Sequence, residues 1–316
     1  MSSDERSGAG SGSPKLEDFI PARWSEGTII ANDLRQHFYR TGSDEEKPTL
    51  LLLHGFSENG ACWSRIAREL EDQYDLLLLD ARGHGRSDLP ATGYSQEALT
   101  QDVIAFIAAL DLEWPFLWGY SNGAKTAAEV TAAAPESVRA VILEDPPWRA
   151  EPAQPASAAG ATYVIGGEPW PGYDQWRASW TAWHVALRDQ TFAERVASAA
   201  AFLPPGADSW PQDELFTHLE AQAQFNLALL DLLPPIPLPS PWRAAVERST
   251  RPILLLTSDP ARGGTITPEV VEQIAATWRD GEHTTFPGVS HFLHHEMRGE
   301  AFENFIAIVR DFLTRR

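Results

Sequence analysis

Cysteine is almost missing from the 316 residues. Cys62 stands alone, so no disulfide can form within the chain, and an intracellular, cytoplasmic protein is the expectation. Lysine is nearly as scarce: Lys15, Lys47 and Lys125 are the only ones, and arginine carries the rest of the positive charge. Asp and Glu number 44 against 25 Lys and Arg, a formal net charge of −19. Phosphate backbones repel such a surface, so nucleic acid is not an expected partner. Long apolar runs are missing too. Nothing approaches the roughly 20 consecutive apolar residues of a membrane helix, and no membrane partner is expected. Met1 to Pro14 are polar and lack the apolar stretch of a signal peptide. The acidic surface has two readings. Dense carboxylates keep a protein soluble under strong screening by salt, or they reflect a compositional habit of the source.

Apolar residues make up 43% of the chain, enough for a sizeable core. The first 15 residues read as a disordered tail. Gly27–Ile30 and Leu34–Tyr39, joined at Asn32-Asp33, read as a hairpin. Leu50–Leu53, Leu76–Leu79, Phe116–Gly119 and Val138–Leu143 are apolar runs of the kind that suits strands buried on both faces. Helical spacing at Trp63–Leu70, Leu99–Leu110 and Ala124–Ala134 separates them. This rhythm predicts βαβ units, hence an α/β fold with a mostly parallel twisted sheet flanked by helices. The rhythm lapses over 146–242, which is rich in proline and holds seven tryptophans, with helical stretches at Trp176–Leu187 and Asp213–Leu232. It resumes with Ile253–Leu256, Pro268–Trp278, Thr284–Phe286 and Glu300–Leu313. Residues 16–145 and 243–316 therefore read as the core and 146–242 as a mainly helical cap over the sheet's C-terminal edge, where open α/β folds bind ligands.

Gly119-Tyr120-Ser121-Asn122-Gly123 matches Gly-x-Ser-x-Gly. The match gains weight from its setting, directly after a buried strand and directly before a helix. A turn that tight strains the serine backbone, lifts Oγ above the sheet edge, and needs glycine where side chains would clash. With Leu51-Leu52-Leu53-His54-Gly55-Phe56, Asp80–Ser87 and Pro287-Gly288-Val289-Ser290-His291 in the same order, the chain resembles the α/β-hydrolase superfamily over residues 27–316.

The resemblance implies a nucleophile, Ser121, and a base, His291. A serine hydroxyl needs a base within hydrogen-bond reach. His294 and His295 lie three and four residues further and read as solvated surface. The acid that orients the base stays open. Asp259 follows the strand Ile253–Leu256, the usual place in such proteins, although the usual Gly-x-x-Asp spacing puts Ala261 in the slot. Asp145 and Glu144, at the end of the preceding strand, are the alternatives. The resemblance also implies an oxyanion hole from the backbone N–H groups of Phe56 and Asn122.

Trp176, Trp180 and Trp183 share a helical spacing. With Tyr120 and Trp148 they are the candidate substrate contacts, which suggests an apolar, partly aromatic pocket. Arg149, Arg177 and Arg243 flank the cap and read as solvated. No His/Cys/Asp group has the spacing of a metal site, so neither metal nor organic cofactor is expected. The expected activity is cleavage of carboxylic esters, lactones included, on a small-molecule substrate. Carbon–carbon bond hydrolysis, perhydrolysis, amide hydrolysis and a poorly catalytic binding protein are the alternatives. Either a monomer or a dimer is compatible with the sequence.

Overall fold

The computed structural model describes residues 16–42, 46–150, 164–165, 168–169, 173–203, 206–207, 210–232 and 242–316. The tail assigned to residues 1–15, Trp170 and the proline-rich stretch 233–241 lie outside the described residues.

Ten strands are described: β1 (Ser25–Ala31), β2 (Leu34–Arg40), β3 (Thr49–Leu53), β4 (Asp75–Leu79), β5 (Phe116–Tyr120), β6 (Val141–Glu144), β7 (Val164–Ile165), β8 (Glu168–Pro169), β9 (Ile253–Thr257) and β10 (Gly281–Thr285). Eight of them form one sheet in the order β1-β2-β4-β3-β5-β6-β9-β10, and β7 pairs only with β8. The β1–β2 hairpin turns on Asn32 and Asp33, both at positive φ (53° and 56°), as a two-residue turn of this hand requires. From β4 to β10 every pairing is parallel.

The leucine runs explain why the sheet lies inside. Leu50 and Leu52 of β3 point to one face, where they join Ile66, Leu70, Trp118, Phe305 and Phe312. Leu51 and Leu53 point to the other, with Val103, Phe106, Ala127, Val130 and Trp242. The helices follow suit: α1 (Ser64–Leu70) and α10 (Gly299–Thr314) cover the first face, and α2 (Gln96–Ala109), α3 (Asn122–Ala133), α7 (Trp242–Arg248) and α8 (Pro268–Ala275) the second.

Between β6 and α7 lie α4 (Tyr173–Asp189), α5 (Phe192–Ala199) and α6 (Gln212–Gln224). They bury Trp183, Leu187, Leu203, Leu215 and Leu219 among themselves. The helix expected over Asp213–Leu232 is interrupted. Phe225 is extended (ψ 131°) after α6, and the Asn226 side chain accepts from Ala228 N before a 3₁₀ turn, Leu227–Leu232. An amide that satisfies the backbone locally competes with helix continuation. The break lets Phe225, Leu229 and Leu230 turn toward Phe56, Tyr94, Trp176 and Trp180. The order along the sheet reverses between β3 and β5, and the crevice beyond the strand ends at that point is where α/β sheets hold ligands.

Candidate active site

Ser121 follows the last residue of β5 and caps α3 with φ 50° and ψ −114°, a region that non-glycine residues seldom occupy. Two glycines make that turn possible. A Cβ on Gly119 would strike the Gly123 carbonyl and Ala124, and one on Gly123 would strike the carbonyls of Leu53 and His54. Gly123→Ala is therefore expected to cost about 1–3 kcal/mol of stability by overpacking. An unchanged melting temperature in the variant would refute that.

The Ser121 hydroxyl donates to His291 Nε2 at 3.0 Å, and His291 Nδ1 donates to Asp145 Oδ2 at 2.6 Å. The structure thus brings Ser121 and His291 together as expected and supplies the carboxylate from a residue ranked behind Asp259. Asp145 follows β6, the immediate neighbour of β5, and its N–H extends the ladder to Leu256 O at 2.8 Å. It turns back at φ 43°. Its fully buried carboxylate also accepts from Ser258 Oγ at 2.8 Å, Ser258 N at 3.3 Å and Thr265 N at 3.1 Å.

The expectation for Asp259 is corrected. Its side chain accepts from Ala261 N at 2.9 Å and Gly288 N at 2.8 Å, which pins two loops together at the surface. These backbone donors hold its carboxyl below the usual range. Proline at 260 lets Asp259 cap a tight turn, and its two oxygens are taken up by Ala261 N and Gly288 N while His291 Nδ1 is bonded to Asp145. Glu144 is buried as well but serves other partners: Trp118 Nε1 at 3.0 Å, His294 N at 3.2 Å and His294 Nδ1 at 2.8 Å.

Phe56 lies in the loop after β3, and Asn122 opens α3. Helix N-termini leave backbone donors without intrahelical partners, and the Asn122 N–H is one of these. The loop carrying Phe56 is fixed from both sides. Glu58 Oε2 accepts from Gly55 N at 2.9 Å, and His54 Nδ1 donates to Gly55 O at 2.7 Å. His54 Nε2 in turn accepts from Ala81 N at 3.0 Å, so this histidine links the loops after β3 and β4.

The five candidate substrate contacts divide. Trp176 and Trp180 stack on each other at 5.3 Å, and Trp180 lies nearly parallel to Phe56 at 5.9 Å. They form an aromatic wall beside the loop that carries Phe56. Trp183 faces the other way, onto Phe202 at 4.5 Å, and donates to Ser198 Oγ. Trp148 is core: it stacks on Trp242 at 6.0 Å and is 2% exposed. Tyr120 is equally buried beneath His291, with ring centres 5.1 Å apart, and supports that ring from below. Three of the five are thus removed from a pocket wall, because large aromatic side chains near an active site first fill the core that carries it.

His294 and His295, expected at the surface, are buried at 1% and 0% exposure. They occupy a four-residue helix, α9 (Leu293–Glu296), where a carboxylate from another element meets each ring. A His-His pair just after the base was the available signal. Glu58, Cys62 and His218 bring potential metal-ligand atoms within 4.8 Å of one another, a grouping invisible at their sequence spacing. Burial pushes the Cys62 thiol well above its ordinary range, which disfavours the thiolate a metal needs.

The strand–Ser121–helix turn, the His291 loop and the sheet order together define a fold, and the sequence agrees: the model of the alpha/beta hydrolase fold family matches residues 48–296. The chain belongs to the alpha/beta hydrolase fold family. Among curated members it is similar to N-formylmaleamate deformylase of Pseudomonas putida, 34% identical over 38% of this chain and 45% of that protein. It is also similar to 2-(acetamidomethylene)succinate hydrolase of Mesorhizobium japonicum, 34% identical over 31% of this chain and 35% of that one. These alignments span less than half of either relative. Naproxen esterase of Bacillus subtilis superposes with a TM-score of 0.67 at 15% identity, covering 94% of both chains. At that identity the likeness is one of fold. Among the described residues no helix is long and apolar enough to cross a membrane.

Proposed function

We propose that this alpha/beta hydrolase is a serine hydrolase that cleaves carboxylic esters with apolar groups, lactones included, through an acyl-enzyme on Ser121. The observation that carries the reading is the unbroken relay of hydrogen bonds from Ser121 Oγ through His291 to Asp145. In this reaction Ser121 Oγ attacks the carbonyl carbon while His291 Nε2 takes its proton. Asp145 holds the Nδ1–H tautomer and stabilises the imidazolium that forms. The backbone N–H groups of Phe56 and Asn122 receive the oxyanion. His291 returns the proton to the leaving alcohol, and then activates the water that frees the acid and restores Ser121. Nucleophile, base, acid and donors all come from the chain, so the proposed reaction calls on no further group. Serine at the nucleophile position argues against dehalogenase or epoxide chemistry, which places aspartate there.

A second reading, amide hydrolysis, is favoured by the names of the two curated relatives, an N-formylmaleamate deformylase and a 2-(acetamidomethylene)succinate hydrolase, since the compounds named carry amide groups. The same residues serve an amide, with His291 protonating a poorer leaving group. Hydrolysis of p-nitrophenyl esters of graded acyl size, beside the matching anilides and formamides, separates the two. Esters faster than amides support the first reading, and the reverse order supports the second.

The aromatic wall sets the expected acyl preference. Removal of Trp180 strips apolar surface from beside Phe56, and each substrate methylene that loses such a surface forfeits about 1–3 kcal/mol of discrimination. Trp180→Ala is therefore expected to lower kcat/KM about 10-fold or more for hexanoyl and benzoyl esters while leaving acetyl esters nearly unchanged. Equal loss on both classes would dissociate the wall from the substrate.

A further inference from the structure

His295 is enclosed by charge. Its Nε2 lies 2.9 Å from Glu58 Oε1 and its Nδ1 2.5 Å from Glu214 Oε2. Ionised carboxylates only accept, so meeting both requires two N–H groups, and only the imidazolium has two. Glu58 belongs to the loop that carries Phe56, and its other oxygen, Oε2, accepts from Gly55 N. Glu214 belongs to the first turn of α6. One ring therefore connects the Phe56 loop to α6, from a position four residues after the base.

We propose that His295 is a positioning residue, a buried cation that ties the oxyanion loop to helix α6 and so sets the Phe56 N–H against Ser121. The inference rests on the hydrolase reading above, in which that N–H receives the oxyanion.

The surroundings fit a cation. Trp210 covers the ring face at 5.2 Å and 11°, an arrangement that favours positive charge. Burial by itself lowers the pKa of His295, but the Glu58 and Glu214 carboxylates overcome this and raise it to about 10. Glu58 is correspondingly held well below its usual range, against the opposing effect of burial, by His295 and His218. The other titratable and charged groups facing the site are His218, 3.4 Å from Glu58 Oε1, the Cys62 thiol, the His294 ring at 4.0 Å, the Tyr120 ring at 6.1 Å and the Arg65 guanidinium, which feels the charge of Glu214 and donates to His294 O at 3.2 Å. Two uncharged bonds reinforce the same connection: Gln222 Nε2 donates to Ser57 Oγ at 2.9 Å, and Asn59 Nδ2 donates to Gln224 Oε1 at 3.2 Å. Ser57 itself sits at φ 66°. A loop bent that sharply holds its shape only where its surroundings over-determine it.

The test begins with the full-length chain labelled with ¹⁵N-histidine. Both ring nitrogens of His295 are expected to carry protons, with resonances that do not move across the range of roughly pH 5 to 8 in which ordinary histidines titrate. A single-tautomer neutral ring overturns the proposal. His295→Gln and Glu214→Gln are then compared with the unmodified chain for ester turnover and for the rate at which an organophosphonate labels Ser121. A catalytic donor displaced by about 1 Å costs up to 10²-fold. The expected result is accordingly a roughly 10–100-fold fall in kcat and in labelling rate, with KM within about twofold. Wild-type kcat and labelling in either folded variant overturns the proposal. If His295→Gln does not fold, Glu214→Gln decides, since it leaves the loop and the ring in place. If the unmodified chain reacts with neither ester nor phosphonate, the hydrolase reading fails instead. The tie is then judged on the His295 resonances and on faster exchange of the Gly55 amide in Glu214→Gln, and an unchanged exchange rate refutes it.

Discussion

Ser121→Ala is expected to lower kcat/KM on p-nitrophenyl esters by at least ~10³-fold while the protein stays folded. The magnitude follows from what the substitution removes. Without Oγ there is no acyl-enzyme, and His291 loses its 3.0 Å partner. What survives is substrate binding and the oxyanion donors, which alone leave a small fraction of the rate. Stability should change little. Alanine and serine share the same preference against φ 50°, and residue 121 is only partly buried. A melting curve matched to the unmodified chain, together with loss of phosphonate labelling, checks both halves. Retained ester turnover in the folded variant would remove Ser121 from the chemistry and with it the whole proposed reaction.

Much of this was legible in the sequence, and the divide has a physical basis. Leu50–Leu53 and Leu76–Leu79 announce buried strands because a strand covered on both faces needs no alternation. Ser121 and His291 were legible because each sits in a local motif whose geometry is set within a few residues. The acid was not. Asp259 and Asp145 each follow a strand, and the choice depends on where each side chain turns once the neighbouring loops are packed. Asp145 is turned inward by a positive φ and by donors from Ser258 and Thr265, which are more than 100 residues away in sequence. Asp259 is turned outward by Ala261 and Gly288. The same holds for His294 and His295. Their position three and four residues after His291 gave no sign of burial, and only the partners Glu144, Glu58 and Glu214, from other elements, make that segment an interior one. The tryptophans misled for a related reason. Spacing of four and three along α4 puts three rings on one side, yet Trp176 and Trp180 turn to Phe56 while Trp183 turns into the helices' own core.

The choice of acid yields the second large effect. Asp145→Asn is expected to lower kcat about 10⁴-fold, and Asp259→Asn to leave it within about threefold. The argument turns on the His291 tautomer. The carboxylate accepts the Nδ1 proton at 2.6 Å and leaves Nε2 free to accept from Ser121. An amide whose NH₂ faces the ring donates to Nδ1 instead and moves the ring proton to Nε2, where it points at Ser121 and cannot take a proton from it. Turned the other way, the amide oxygen can still accept from His291, but the NH₂ group then sits where Ser258 N donates. It also carries no charge to stabilise the imidazolium. An unmet buried donor costs about 1–3 kcal/mol, so the variant should melt lower yet still fold. Asp259→Asn keeps an oxygen for only one of its two backbone donors, so it should cost stability about as a weakened cap does, roughly 0.5–2 kcal/mol, while leaving the His291 proton where it is. Comparable losses from the two substitutions would mean that the Asp145–His291 bond is not what orients the base. A large loss from Asp259→Asn alone would return the acid to the loop after β9. The predicted asymmetry holds for ester and amide substrates alike, because it depends on proton placement in the free protein and not on the leaving group.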